Sequence, residues 1–287
     1  MSGSAPVGPA DLLVDGQPPQ DGLSFFDRGL HFGDGLFETI ACRQRKPRFL
    51  TLHMERLALG CEKLRIAPLD VERLRGEIRS MALVAEDSLI KVIVTRGVAV
   101  ARGYGVSGRE IATRLVFRYP WPGEDPAAAR DGVTARTARL RLGENPALGG
   151  MKHLNRLEQV LARSEAPVED AAELVVFSSS GNLVSGSMSN LFLVQNGRLR
   201  TPRVDVCGVA GVMRRVVLRE AERAGVVAEE CVLARADLDS ASEVFLTNAR
   251  IGIWPVRQLD SRVLAVGEIT RRLQATLAPL LANPVDA

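Results

Sequence analysis

Pro120, Pro122 and Pro126, with Gly123 among charged residues, make the sharpest break in composition along this chain. Any fold has to be built around it. Proline fixes φ and removes a backbone donor, so a cluster of three interrupts whatever strand or helix reaches it. An interdomain linker at 119–131 follows. It separates a smaller N-terminal domain, 11–118, from a larger C-terminal one, 132–287, each long enough to bury its own core. Residues 1–10, MSGSAPVGPA, lack the basic and apolar blocks of a signal peptide and read as a disordered tail.

Both halves alternate short Val- and Ile-rich runs with turn residues. In the first, strands are expected at 12–16, 37–43, 88–95 (SLIKVIVT) and 111–119. Thr51 is the expected N-cap of a helix with Met54, Leu57, Ala58, Cys61 and Leu64 on one face, and a second helix covers about 71–84. In the second half, strands are expected at 133–139, 173–177, 190–194 and 244–247, with an Asn196-Gly197 hairpin turn. Helices follow Gly211 and cover about 266–281. Strands outnumber helices, so the fold class is α+β with mixed sheets rather than a doubly wound one.

Composition removes several function classes. Apolar residues make up 46% and charged ones 25%, as in a soluble globular protein. No apolar run approaches the roughly 20 residues that cross a bilayer. The net charge of +3 is scattered, and thirteen aromatic residues (nine Phe, two Tyr, two Trp) interleave with no basic block, which argues against nucleic-acid binding. Cys42, Cys61, Cys207 and Cys231 form no CxxC pair and fit small core residues in a reducing, cytoplasmic compartment. His31, His53 and His153 lack metal-ligand spacing, so no metal is expected.

Chemistry concentrates around MKHLNRLEQ, residues 151–159. Lys152 follows the turn Leu148-Gly149-Gly150 and precedes leucines 154, 157 and 161 at helical spacing, so it is expected at the start of a helix held in a core. A lysine so fixed can be a nucleophile, although most lysines are solvated surface charges. Three further features suit an anion. Gly208 to Gly211 lead into a helix whose first N–H groups are free. Arg56 projects from another helix and can pair with phosphate oxygens. The Thr247-Asn248 turn adds a hydroxyl, an amide and more N–H groups. Each alone is weak. A phosphate cradle plus a lysine nucleophile is what a pyridoxal phosphate enzyme needs.

DRGLHFGDGLFET (27–39), HMERLALGCEKLRI (53–66), VTRG (94–97), the Lys152 segment, GVAGVMRR (208–215) and FLTNARIGIWPV (245–256) occur in the order found in fold-type IV pyridoxal-phosphate enzymes. The chain resembles this family over about 12–281. The group holds branched-chain and D-amino-acid aminotransferases and 4-amino-4-deoxychorismate lyase. KHLNRLEQVLAR, RGYG (102–105) and GIWPV are most similar to the lyases. The resemblance implies a two-domain architecture with mixed, largely antiparallel sheets and a Schiff-base lysine, Lys152, in the C-terminal domain. It implies pyridoxal 5'-phosphate as cofactor, with Arg56, the N–H groups of Val212 and Met213, and Asn248 and Ala249 on its phosphate. Arg102, Tyr104 and His31 are the implied substrate contacts, for a carbon–oxygen lyase acting on aminodeoxychorismate in folate biosynthesis, as a homodimer. The alternatives are a D-amino-acid or branched-chain aminotransferase, or a catalytically impaired cofactor-binding paralogue. One position departs from the family: Ser185 stands where a glutamate faces the pyridine nitrogen. A hydroxyl makes the ring a weaker electron sink, which handicaps transamination more than an elimination that creates an aromatic ring.

Overall fold

A computed structural model describes residues 10–20, 22–99 and 102–283. All but one residue of the expected N-terminal tail lie outside the described residues. Two compact units part between Gly123 and Glu124, inside the proline-rich break. The short segment Lys152–Asn155 is counted with the first unit, although it lies within the second half of the chain.

The first unit carries β1 (Asp11–Val14), α1 (Arg28–Phe32), β2 (Gly35–Arg43), β3 (Lys46–Pro47), α2 (Leu50–Leu64), α3 (Val71–Ala82), β4 (Ser88–Thr95) and β5 (Thr113–Pro120). Its sheet runs β1-β5-β4-β2-β3 with every neighbouring pair antiparallel. Side chains of a strand alternate faces, and in β2 Leu36, Glu38, Ile40 and Cys42 share the buried phase. Helices α2 and α3 lie against this sheet. Met54, Leu57, Leu74 and Ile78 are fully buried, as are Ile40 and Ile90 of the strands. Asp70 caps α3 by accepting from the Arg73 N–H. Thr51 is not the cap of α2. The helix begins at Leu50 after Phe49, which adopts φ +53° to tuck its ring into the core, and the Thr51 hydroxyl accepts from Arg75 instead.

The second unit carries α4 (Pro126–Asp131), β6 (Val133–Leu142), α5 (Leu157–Arg163), β7 (Glu173–Ser178), β8 (Leu183–Gly186), β9 (Asn190–Gln195), β10 (Arg198–Pro202), α6 (Val212–Arg223), β11 (Ala228–Cys231), α7 (Arg235–Ser240), β12 (Glu243–Asn248), β13 (Gly252–Leu259), β14 (Arg262–Val263) and α8 (Glu268–Ala282). Its sheet runs β11-β10-β9-β12-β13-β6-β7-β8, with β14 beside β13. The β10/β11, β13/β6 and β6/β7 pairs are parallel and the rest antiparallel. The fold is therefore α+β with mixed, mainly antiparallel sheets. One core gathers Val175, Leu191, Leu193, Val244, Leu246 and Val256. A second lies under α5 around Ala138, Leu142, Ala162 and Leu174. The proline break is shorter than its composition suggests: β5 runs to Pro120, and Pro126 opens α4 at the position where its missing N–H costs nothing. Among the described residues no helix is long and apolar enough to cross a membrane.

Candidate active site

Lys152 does not start a helix. Helix α5 begins only at Leu157, and 152–155 instead lies along the start of β2. The Phe37 N–H donates to the Lys152 carbonyl (3.0 Å) and the Leu154 N–H to the Gly35 carbonyl (2.9 Å). His153 bridges Leu36, and the Asn155 amide donates to the Gly33 carbonyl (3.2 Å). The cause is an open strand edge. On that side β3 pairs only with the far end of β2, at Cys42 and Arg43, so the backbone groups near Gly35 need partners that 152–154 supplies. The Lys152 ammonium lies 4.1 Å from the centre of the Phe37 ring, a cation–π contact. Leu157 and Leu161, expected in the core, are 76% and 57% exposed. Arg156 is half-buried: it donates to the Met151 carbonyl (3.3 Å), and its partial burial pushes its guanidinium down to about 10.

Beside that edge, β2 and α2 build a charged network that the sequence reading did not assemble. Arg56 grips Glu38 with both arms, Nε to Oε1 at 2.7 Å and Nη2 to Oε2. His53 Nδ1 donates to Glu38 Oε2 at 2.6 Å. Glu38 and His53 are each 1% exposed. Burial opposes the charge on Glu38, but Arg56 and His53 outweigh it and hold the carboxyl at about 2. Burial also lowers the pKa of His53, with Glu38 pulling the other way and the charges of Arg56 and Lys152 adding to the depression. The imidazole is therefore neutral at pH 7, with Nδ1–H as donor and a buried Nε2 that has no partner among the described residues. The available signal was parity: Glu38 occupies the buried phase of β2, where a carboxylate requires a counter-charge.

In the second unit α6 starts at Val212 with no side chain capping it, so its first backbone N–H groups have no intrahelical acceptors. The turn before it is tight. Gly208 sits at φ +83°, and a Cβ on Gly211 would fall 2.0 Å from Asn190 Oδ1. Asn190 in turn donates to the Val209 carbonyl at 2.9 Å. Ser185, 7% exposed on β8, donates to the Gly186 carbonyl at 2.8 Å. Glu173 opens β7, and no sequence motif marks its carboxylate. It accepts from the Ser187 N–H (2.9 Å) and Oγ (2.5 Å) and from Ser189 Oγ (2.6 Å), which shapes the turn between β8 and β9. Asn248 closes the β12–β13 turn, accepting from the N–H groups of Arg250 (2.9 Å) and Ile251 (3.0 Å). Ala249 follows it in that turn.

The three expected substrate contacts all belong to the first unit. His31 is exposed, with Nε2 2.7 Å from the Phe25 carbonyl. Tyr104 is 84% exposed, its ring 5.2 Å from that of Phe32, which is itself 5.9 Å from His31. Arg102 is exposed two residues earlier in the same loop. The candidates thus fall into two sets: Lys152, Arg56, His31, Arg102 and Tyr104 in the first unit, and Ser185, Val212, Met213, Asn248 and Ala249 in the second.

The family model described as amino-transferase class IV matches residues 35–259. An aminodeoxychorismate lyase from Vibrio harveyi is 32% identical over 263 residues, covering 90% of this chain and 97% of that protein. A putative branched-chain-amino-acid aminotransferase from Methanocaldococcus jannaschii is 34% identical over 88% of each chain. Among solved structures, the 4-amino-4-deoxychorismate lyase from Pseudomonas aeruginosa superposes with a TM-score of 0.90 at 44% identity, covering 95% of this chain and 100% of that one.

Proposed function

The chain belongs to the class IV amino-transferase family, and from that premise we propose that it is a pyridoxal 5'-phosphate-dependent lyase converting 4-amino-4-deoxychorismate to 4-aminobenzoate and pyruvate. The observation that carries the reading is full-length similarity to lyases of that name, at 44% identity in one case. The residues fit the cofactor. The N-terminus of α6 carries no side-chain cap, and the glycine turn before it is so tight that a Cβ at Gly211 would collide with Asn190 Oδ1. Such an N-terminus suits a phosphate. Val212 and Met213 would bind it through their N–H groups, the Asn248-Ala249 turn through its own, and Arg56 would add its positive charge. Glu38 fixes the orientation of that guanidinium through Nε and Nη2.

When bound, the cofactor supplies an electron sink that lets the C–H bond beside the substrate amine ionise. The chain supplies the rest. Lys152 would hold the cofactor covalently, and its amine, once free, would take the proton from C4 of the substrate. The same amine returns a proton to the departing pyruvate as the ring becomes aromatic. Arg102, Tyr104 and His31 bind the carboxylates. Ser185 would have to turn its hydroxyl from the Gly186 carbonyl to meet the pyridine nitrogen, and unlike a carboxylate it would not keep that nitrogen protonated, so the sink would be weaker. Aromatisation supplies driving force of its own and tolerates this.

A second reading, an aminotransferase for branched-chain or D-amino acids, has the 34% identical relative in its favour. Turnover of such amino acids with 2-oxoglutarate, without 4-aminobenzoate, selects it. Bound cofactor without either turnover marks an impaired paralogue. The reading also includes a cytoplasmic homodimer. It is supported by the exposed apolar stripe Leu157, Val160 and Leu161 of α5, a face that a lone chain leaves in water. The direct test is an absorption spectrum: the purified protein shows a near-visible cofactor band and Lys152→Ala lacks it. Persistence of that band in Lys152→Ala refutes the role of Lys152.

A further inference from the structure

We propose that Arg28 is a positioning residue for substrate recognition: its guanidinium holds the 102–105 loop by the main chain and thereby sets where Arg102 and Tyr104 are presented. The proposal rests on the reading that those two side chains meet the substrate. Arg28 lies on the short helix α1, and its side chain is only 5% exposed. Nη1 donates to the carbonyls of Gly103 (3.1 Å) and Gly105 (3.3 Å), and Nη2 to that of Tyr104 (3.2 Å). Three successive carbonyls therefore turn onto one buried cation. Gly103, at φ +97°, gives the bend that this requires.

The cation is itself anchored. Nε donates to Asp34 Oδ2 at 2.8 Å. Arg96 holds the same carboxylate from Nε (2.7 Å) and Nη2 (3.0 Å), and also donates to the Leu64 and Arg65 carbonyls, both at 2.7 Å, where α2 ends. The loop is thus tied through Arg28, Asp34 and Arg96 to the end of a core helix. A second contact fixes the phenol. The Phe32 ring has the Arg28 guanidinium 5.0 Å from its centre and the Tyr104 ring 5.2 Å away.

Every polar bond from Arg28 to the loop goes to a carbonyl and none to a loop side chain. The path of the loop is therefore independent of what stands at 102 and 104. These positions form a specificity segment: here they present a cation and a phenol, which suits an anionic ring bearing carboxylates, and substitutions there change preference without moving the backbone. Lysine cannot replace Arg28, because a single ammonium lacks the planar fork that reaches four acceptors at once.

The test compares wild type with Arg28→Lys, which keeps a positive charge opposite Asp34. Native-state tryptic cleavage after Arg102 reads the loop, and steady-state turnover of aminodeoxychorismate reads its use. The expected result is cleavage at least tenfold faster and KM raised at least fivefold with kcat within twofold. Combining Arg28→Lys with Arg102→Ala and Tyr104→Ala should give the KM of the Arg102→Ala/Tyr104→Ala protein, since Arg28 acts through those two residues. Unchanged cleavage, an unchanged KM, or KM effects that multiply in the combined variant overturns the proposal. If Arg28→Lys does not fold, Phe32→Leu removes the ring beside Tyr104 and should move cleavage and KM in the same direction. A wild type that makes no 4-aminobenzoate would defeat the function reading and the substrate half of this proposal together. The cleavage comparison would still decide the clamp alone.

Discussion

Replacing Glu38 by glutamine keeps the shape of the side chain and removes its charge from between Arg56 and His53. In the folded protein this carboxyl is held at about 2, against an ordinary 4.5. At 1.36 kcal/mol per unit, that depression corresponds to roughly 3 kcal/mol of stability. The folded pKa lies below the unfolded one, so the contribution is complete above about pH 4.5 and is lost as pH falls from there towards 2. Removing one partner of a buried ion pair costs about 3–5 kcal/mol by a separate route, which agrees in size. The chain has two tryptophans. Trp121 belongs to the first unit and Trp254 to the second, so a Trp254→Phe background reports unfolding of the unit that holds Glu38. Urea titrations followed by Trp121 fluorescence should show Glu38→Gln less stable by about 3 kcal/mol at pH 7. The gap should narrow steadily as pH is lowered to 3. His53, whose pKa is lowered chiefly by burial, removes stability as pH falls below its ordinary 6.5, and this limb survives in the variant. A difference below about 1 kcal/mol at pH 7, or the same gap at pH 3, refutes the network as the source of that stability.

Gly211→Ala places a methyl 2.0 Å from Asn190 Oδ1 and should weaken cofactor binding at least tenfold in a titration of the apoprotein; unchanged affinity would remove α6 from the phosphate site. Leu142→Ala, in the core under α5, should cost about 2–5 kcal/mol in urea titrations, and a loss below about 1 would contradict that packing. Light scattering of Leu157→Asp paired with Leu161→Asp should report a monomer where wild type is a dimer, and a dimer that survives places its contact elsewhere. Ser185→Glu should raise half-transamination with D-alanine by at least tenfold, read as loss of the near-visible band; no change would mean that the hydroxyl is not what limits the sink.

The sequence carried the fold further than the site. Strand periodicity and turn residues located β2, β4, β5, β7, β9 and β12 because alternation and Val/Ile content report burial directly. Short edges such as β3, β11 and β14 have too few residues to show a period. The leucines at 154, 157 and 161 misled for a physical reason: helical spacing states that a face is apolar, and says nothing of whether this chain covers it. The motif singles out Lys152 as a candidate but does not give its setting, since the open edge of β2 that captures 152–154 depends on where a distant strand stops pairing. Glu38, Glu173 and Arg28 were missed together. Each acts through partners 14 or more residues away in the chain, which no local pattern encodes.

The central claim is tested most directly by adding aminodeoxychorismate to the purified holoprotein and following both products with no 2-oxo acid present. The account predicts 4-aminobenzoate and pyruvate in equal amounts, continuing over many turnovers, with neither formed by Lys152→Ala. Amino transfer from branched-chain or D-amino acids to 2-oxoglutarate, with no 4-aminobenzoate from aminodeoxychorismate, would contradict it.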